Sequence, residues 1–132
     1  MLGELIREEK GKLTGTRVMP DGKIELSAQS TGKLLGVDYV GMSTTIFVWA
    51  GPGGSATAEG TGLIMIKDRD AVMLKTWMTG RVTGPGWKAV FRGVDMIQTA
   101  SPKLARLNNT LSVWEEETDE SGNTTLKAWE WK

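Results

Sequence analysis

The side chains able to do chemistry in this sequence are few in kind. There is no histidine and no cysteine. That excludes imidazole bases, Ser-His-Asp triads, thiolate nucleophiles and Cys- or His-ligated zinc and iron. Carboxylates, Lys, Arg, Tyr39, hydroxyls and backbone dipoles remain. From these, Trp77, Arg92, Trp129 and Glu115 are the expected ligand-binding residues. The tryptophans would supply apolar wall, and an Arg–Glu pair would orient a polar group, because an unpaired buried charge is very costly. In an enzymatic alternative, Glu115 or Glu130 is the acid or base and Arg92 steadies an anion. No catalytic residue is assigned.

Other constellations read as structure. The acidic group Glu115, Glu116, Glu117, Asp119 and Glu120 lacks the ligand order of a calcium-binding loop and reads as a solvated hairpin tip. Gly51-Pro52-Gly53-Gly54 and Gly60-Thr61-Gly62 are not followed by Gly-Lys-Ser/Thr and open no helix, so they read as turns rather than phosphate cradles. No metal and no cofactor is expected. Sixteen basic residues balance sixteen acidic ones, so neither nucleic acid nor an anionic membrane is an expected partner. Neutrality also removes one barrier to self-association, which leaves a homo-oligomer open. The first ten residues lack the apolar core of a signal peptide, and no run approaches the ~20 apolar residues of a membrane span. A cytoplasmic location is the expectation.

The elements that must position these residues are strands. A length of 132 residues suits one domain, residues 1–132. Seventeen glycines are scattered among Val, Ile, Thr and Trp, which suggests turns and sheet bends. The alternation predicts a bent or broken first strand over 5–18. It predicts further strands over 23–34, 37–50, 56–67, 71–79, 87–99, 111–118 and 124–131. Ile24, Leu26 and Ala28 share one parity of the second strand. Ser101 followed by Pro102 is the one helix signal, a short turn through Leu107. There is no βαβ alternation. The fold class predicted is all-β: a single antiparallel up-and-down β-barrel of about eight strands. A two-sheet sandwich is second.

Leu104–Lys132 carries the clearest hairpin. A turn at Glu120-Ser121 with Gly122 in the left-handed region would pair Asp119 with Asn123, Glu115 with Lys127 and Val113 with Trp129. A one-residue slip would exchange which of Trp129 and Glu130 shares a face with Val113. In the preferred register Leu111, Val113, Trp129 and Trp131 share a face, expected to be wall and core.

Arg92-Gly93, the run from Gln98 to Asn108 and the terminal Trp129-Glu130-Trp131-Lys132 resemble a family of small uncharacterised microbial proteins. That resemblance implies no activity. In length and strand count the chain is also similar to calycin-type barrels: lipocalins, fatty-acid-binding proteins and the allene oxide cyclase–dirigent group. It lacks the Gly-x-Trp start and the cysteines of lipocalins. The function expected is a small β-barrel binding a small apolar or amphipathic ligand in its interior. The alternatives are a cyclase- or isomerase-type enzyme using carboxylates and a structural, self-associating protein. Fold analogy does not choose among them.

Overall fold

The computed structural model describes residues 2–51, 54–67 and 70–132. The turns expected at 51–54 and 67–70 fall partly on residues 52, 53, 68 and 69, which lie outside the described residues. Eight strands follow one another around a closed barrel. They are β1 (Leu2–Val18), β2 (Ile24–Leu34), β3 (Val37–Gly51), β4 (Ser55–Ile66), β5 (Ala71–Val82), β6 (Ala89–Thr99), β7 (Leu111–Thr118) and β8 (Asn123–Trp131). Each strand is antiparallel to the next, and β8 returns to β1. Closure leaves no unpaired edge, which a sheet of this length would otherwise expose. The barrel is therefore the architecture, and the sandwich is not.

Period-two alternation decides what faces inward. Ile24, Leu26 and Ala28 of β2 point in, as their shared parity predicts. So do Val72, Leu74 and Thr76 of β5, and Trp114, Thr118, Leu126 and Ala128 of the last two strands. The first strand is continuous but interrupted in register at three points, between Leu13 and Gly15 against β2, and between Leu5 and Arg7 and between Leu2 and Leu5 against β8. The second irregularity turns two successive residues, Ile6 and Arg7, into the barrel.

The two ends of the barrel differ. At one end Ile6, Leu34, Ile64, Ile66, Val72 and Ile97 form a solid plug. A 3-10 helix, Pro102–Leu107, covers it by inserting Leu104 and Leu107. The helix lies where Ser101-Pro102 predicts it, but the Ser101 side chain makes no capping hydrogen bond. Arg106 pins the helix outside through Glu4 and through Glu130 at 3.2 Å. At the other end the β5–β6 connection leans on the last hairpin, where the Trp87 N–H donates to the Glu120 carbonyl at 3.2 Å. That hairpin takes the preferred register. Asp119 N–H donates to the Asn123 carbonyl at 2.9 Å, and Gly122 has φ +89°. Val113 lies opposite Trp129, and Glu115 opposite Lys127.

Candidate functional site

Above the plug the barrel is hollow. The cavity has a volume of about 290 Å3, at the lower edge of ordinary ligand pockets. Its walls come from inward positions of several strands: Leu26 of β2, Phe47 of β3, Met78 of β5, Phe91 of β6 and Leu126 of β8. Phe47 and Phe91 meet edge to face, with ring centroids 5.5 Å apart. Leu13, Val82 and Trp87 line the mouth. Small residues keep the interior open. Ala56 and Ala58 face inward where larger side chains would fill it.

The floor, between cavity and plug, is charged. Arg7 is 6% exposed and donates from Nη1 to Glu9 and from Nη2 to Asp95, each at 2.6 Å. Asp95, 2% exposed, also accepts from Trp114 Nε1 at 3.0 Å. The Tyr39 hydroxyl donates to Glu9 at 2.5 Å. Five side chains from β1, β3, β6 and β7 thus form one network, in which each strong donor has an acceptor. Burial pulls the Arg7 pKa down, but Glu9 and Asp95 outweigh it and hold the guanidinium above its ordinary value. Burial raises the Tyr39 pKa against the opposing pull of Arg7. Burial likewise raises that of Asp95, with Arg7, the Thr76 hydroxyl and the Trp114 N–H opposing.

Glycine makes this floor possible at one point. Gly93 lies opposite Trp114 in the β6–β7 ladder. A Cβ on it would come within 2.2 Å of the indole Cζ2. The ring lies flat over the glycine and so reaches Asp95 on the same inner face.

Glu116 is the exception in the network. It lines the cavity two residues beyond Trp114, on the same face of β7. Among the described residues it has no hydrogen-bond or ion-pair partner. Burial, then the nearby Glu9 and Asp95, push its pKa up to about 8, with Arg7 acting in the opposite sense. It is therefore a carboxylic acid at neutral pH, facing an apolar chamber. Thr76, opposite Asp95 in the β5–β6 ladder, borders the same chamber and turns its hydroxyl toward that carboxylate. Among the described residues no cluster of side chains is arranged to hold a metal ion.

None of the four residues expected to bind a ligand lines this cavity. Trp77 is 45% exposed on the outer face of β5. Arg92 and Glu115 are opposite one another in the ladder and face solvent, with a loose contact of 3.9 Å. Trp129 is half-buried on the outer face, beside Leu5. The register was right and the face was inverted. The inner face of the hairpin belongs to Ser112, Trp114 and Glu116, because Gly93 leaves room for an indole there and the small Ala128 lies beside it. Glu130 is tied to Arg106 outside the cavity, so neither Glu115 nor Glu130 is an interior acid.

The residues missed had a usable signal. Asp95 shares parity with Ala89, Phe91 and Ile97, an apolar face on which a lone carboxylate implies a buried partner. Glu116 shares parity with Trp114, not with the solvated Glu115 and Glu117. Arg7 carried no such signal, because the irregularity beside it breaks the alternation.

No family model matches the chain, and no curated protein matches it. Solved structures do. A conserved protein of unknown function from Rhodopseudomonas palustris is similar at a TM-score of 0.76 and 10% identity, over 98% of this chain and 99% of that one. A protein of unknown function from Clostridium acetobutylicum has a TM-score of 0.76 and 14% identity, over 96% and 94%. A β-barrel-like protein from Acinetobacter baumannii has a TM-score of 0.74 and 15% identity, over 98% and 94%. At such identities the likeness is one of fold alone. These neighbours share the barrel fold, and they do not identify the chain as a calycin.

Proposed function

We propose that the protein binds one small amphipathic molecule inside the barrel, apolar body against the walls and polar end toward the charged floor. The observation that carries this is the hollow itself: about 290 Å3 bounded by Phe47, Phe91, Met78, Leu26 and Leu126 above Arg7, Glu9, Asp95 and Glu116. An interior kept for stability alone would be filled, since an empty cavity forfeits packing. The calycin-type resemblance agrees with an interior site but adds no ligand identity. The walls favour an alkyl or aryl body, with each buried CH2 contributing about 0.8 kcal/mol.

Native mass spectrometry of the purified protein, before and after titration with 1-octanol, tests this reading. One added molecule per chain, with a saturable change in tryptophan fluorescence and a Kd on the order of 0.1 mM, is the expected result. No adduct and no saturable signal through millimolar octanol would count against it.

A second reading is favoured by Glu116. An acid with its pKa near 8 inside an apolar chamber has the property a cyclase or isomerase would need for proton transfer. It replaces Glu115 and Glu130 as the candidate in the enzymatic alternative. A third property concerns the outer wall. Met42, Met65, Met73 and Trp77 are exposed on β3, β4 and β5, an apolar strip that supports self-association. Light scattering showing monomer alone at high concentration would remove it.

A further inference from the structure

The charge inventory of the cavity constrains the polar end of its occupant. Three carboxyl groups, Glu9, Asp95 and Glu116, and one guanidinium, Arg7, meet at the floor, while a second guanidinium, Arg81, is exposed at the mouth. Both terminal nitrogens of Arg7 are engaged, Nη1 with Glu9 and Nη2 with Asp95. The Tyr39 hydroxyl and the Trp114 N–H are likewise spent on Glu9 and Asp95. Among the described residues the floor therefore has no free cation to receive an anionic head. A carboxylate entering it would bring a further negative group into a low-dielectric site. What the floor leaves unpaired is a carboxyl group. Glu116 lines the cavity and has no partner among the described residues.

We propose that the occupant is a small apolar primary amine, held as its ammonium with the charged end on Glu116; this rests on the interior being a binding site, as above. An ammonium has three donors and no acceptor. It complements the carboxylate that Glu116 becomes on giving up its proton, which an alcohol does without charge and a carboxylate not at all. At roughly 30 Å3 per non-hydrogen group, about 290 Å3 admits a molecule the size of octylamine or a phenylalkylamine. The edge-to-face pair Phe47 and Phe91 forms the wall such a body would touch.

The groups that face Glu116 set how this binding depends on pH. They are Arg7 and Glu9 from β1 and Asp95 from β6. In the empty cavity their balance, together with burial, leaves Glu116 protonated below about pH 8. The ammonium binds the ionised form, so at pH 7 its uptake must expel that proton. Affinity then rises with pH up to about 8, by about tenfold per unit at most, and levels off above it. An anionic ligand would show the opposite trend.

Isothermal titration calorimetry with octylamine, 1-octanol and octanoate tests the inference, using the wild-type protein and Glu116→Gln. Runs at pH 7 in two buffers of different ionisation enthalpy give the proton count. Octylamine is expected to bind at least about tenfold tighter than octanoate and to release about 0.9 proton. In Glu116→Gln the preference should fall to within about threefold and the proton release should vanish. Octanoate binding as tightly as octylamine, or octylamine binding with no proton released by the wild-type protein, overturns the inference. If octanol binds and octylamine has no advantage, the amine inference fails while the interior site stands. If none of the three binds, both fail.

Discussion

Replacing Glu116 by Gln should make the protein more stable, and more so as pH rises. In the folded chain Glu116 has its pKa pushed from the usual 4.5 up to about 8. Between those values the native state keeps a proton that the unfolded chain has already released. Stability from this group is therefore fullest below about pH 4.5 and is lost as pH climbs through about 8. At 1.36 kcal/mol per pH unit, the loss accumulates to roughly 4–5 kcal/mol. Gln has nearly the same shape and cannot ionise, so it does not share the loss. The stability difference, variant minus wild type, should grow from pH 5 to pH 8 and then stay flat. For a chain of this length that is on the order of 15 °C in Tm at pH 9. Thermal and urea unfolding followed by circular dichroism, at one-unit steps from pH 5 to 9, measures it. Subtracting the two proteins removes groups they share. A difference that is the same at pH 5 and pH 9 would refute the desolvated, unpartnered state of the half-buried Glu116.

Three further expectations follow from the same geometry. Arg7→Met strands Glu9 and Asp95 without their cation and should cost about 3–5 kcal/mol near neutral pH, whereas Arg92→Ala on the outer wall should cost under about 1 kcal/mol; urea midpoints compare the two. Gly93→Ala drives a methyl into the Trp114 ring and should cost about 1–3 kcal/mol in urea unfolding, with the near-ultraviolet circular dichroism of the indole altered as it leaves Asp95. Thr45→Trp, on an inward position lining the cavity, should abolish octanol binding by titration, while Trp77→Ala on the outer wall should leave it unchanged.

Much of the fold was legible because period-two alternation and turn chemistry are local. Ile24, Leu26 and Ala28 announced their shared face, and Asp119 to Asn123 announced the hairpin and its register. The absence of βαβ alternation led to an antiparallel sheet, and glycine-rich mid-strands led to closure. The site was legible only in part. Alternation says that Trp114 and Trp129 lie on opposite faces, but not which face is interior. That choice depends on Gly93 and Ala128 on the neighbouring strands, far away in sequence or beyond the turn. Size misled as well. Trp77 and Trp129 are large and apolar, yet a barrel of this diameter leaves much of its apolar surface outside. Arg7 was hidden for a different reason: it shares parity with Glu9 and Leu13, but the irregularity between Leu5 and Arg7 turns its neighbour Ile6 inward as well, so the strand shows no clean inner face. Its partners Glu9, Tyr39 and Asp95 come from strands that no local pattern links.

The central claim is that the barrel's hollow, and not its tryptophan-bearing outer wall, is the binding site. A crystal structure grown with 1-octanol tests it most directly. Electron density for one alkyl chain between Phe47, Phe91 and Met78, with its hydroxyl toward Glu116, is the predicted result. A chamber closed by collapsed side chains, or octanol seated on the outer face beside Trp77, would contradict it.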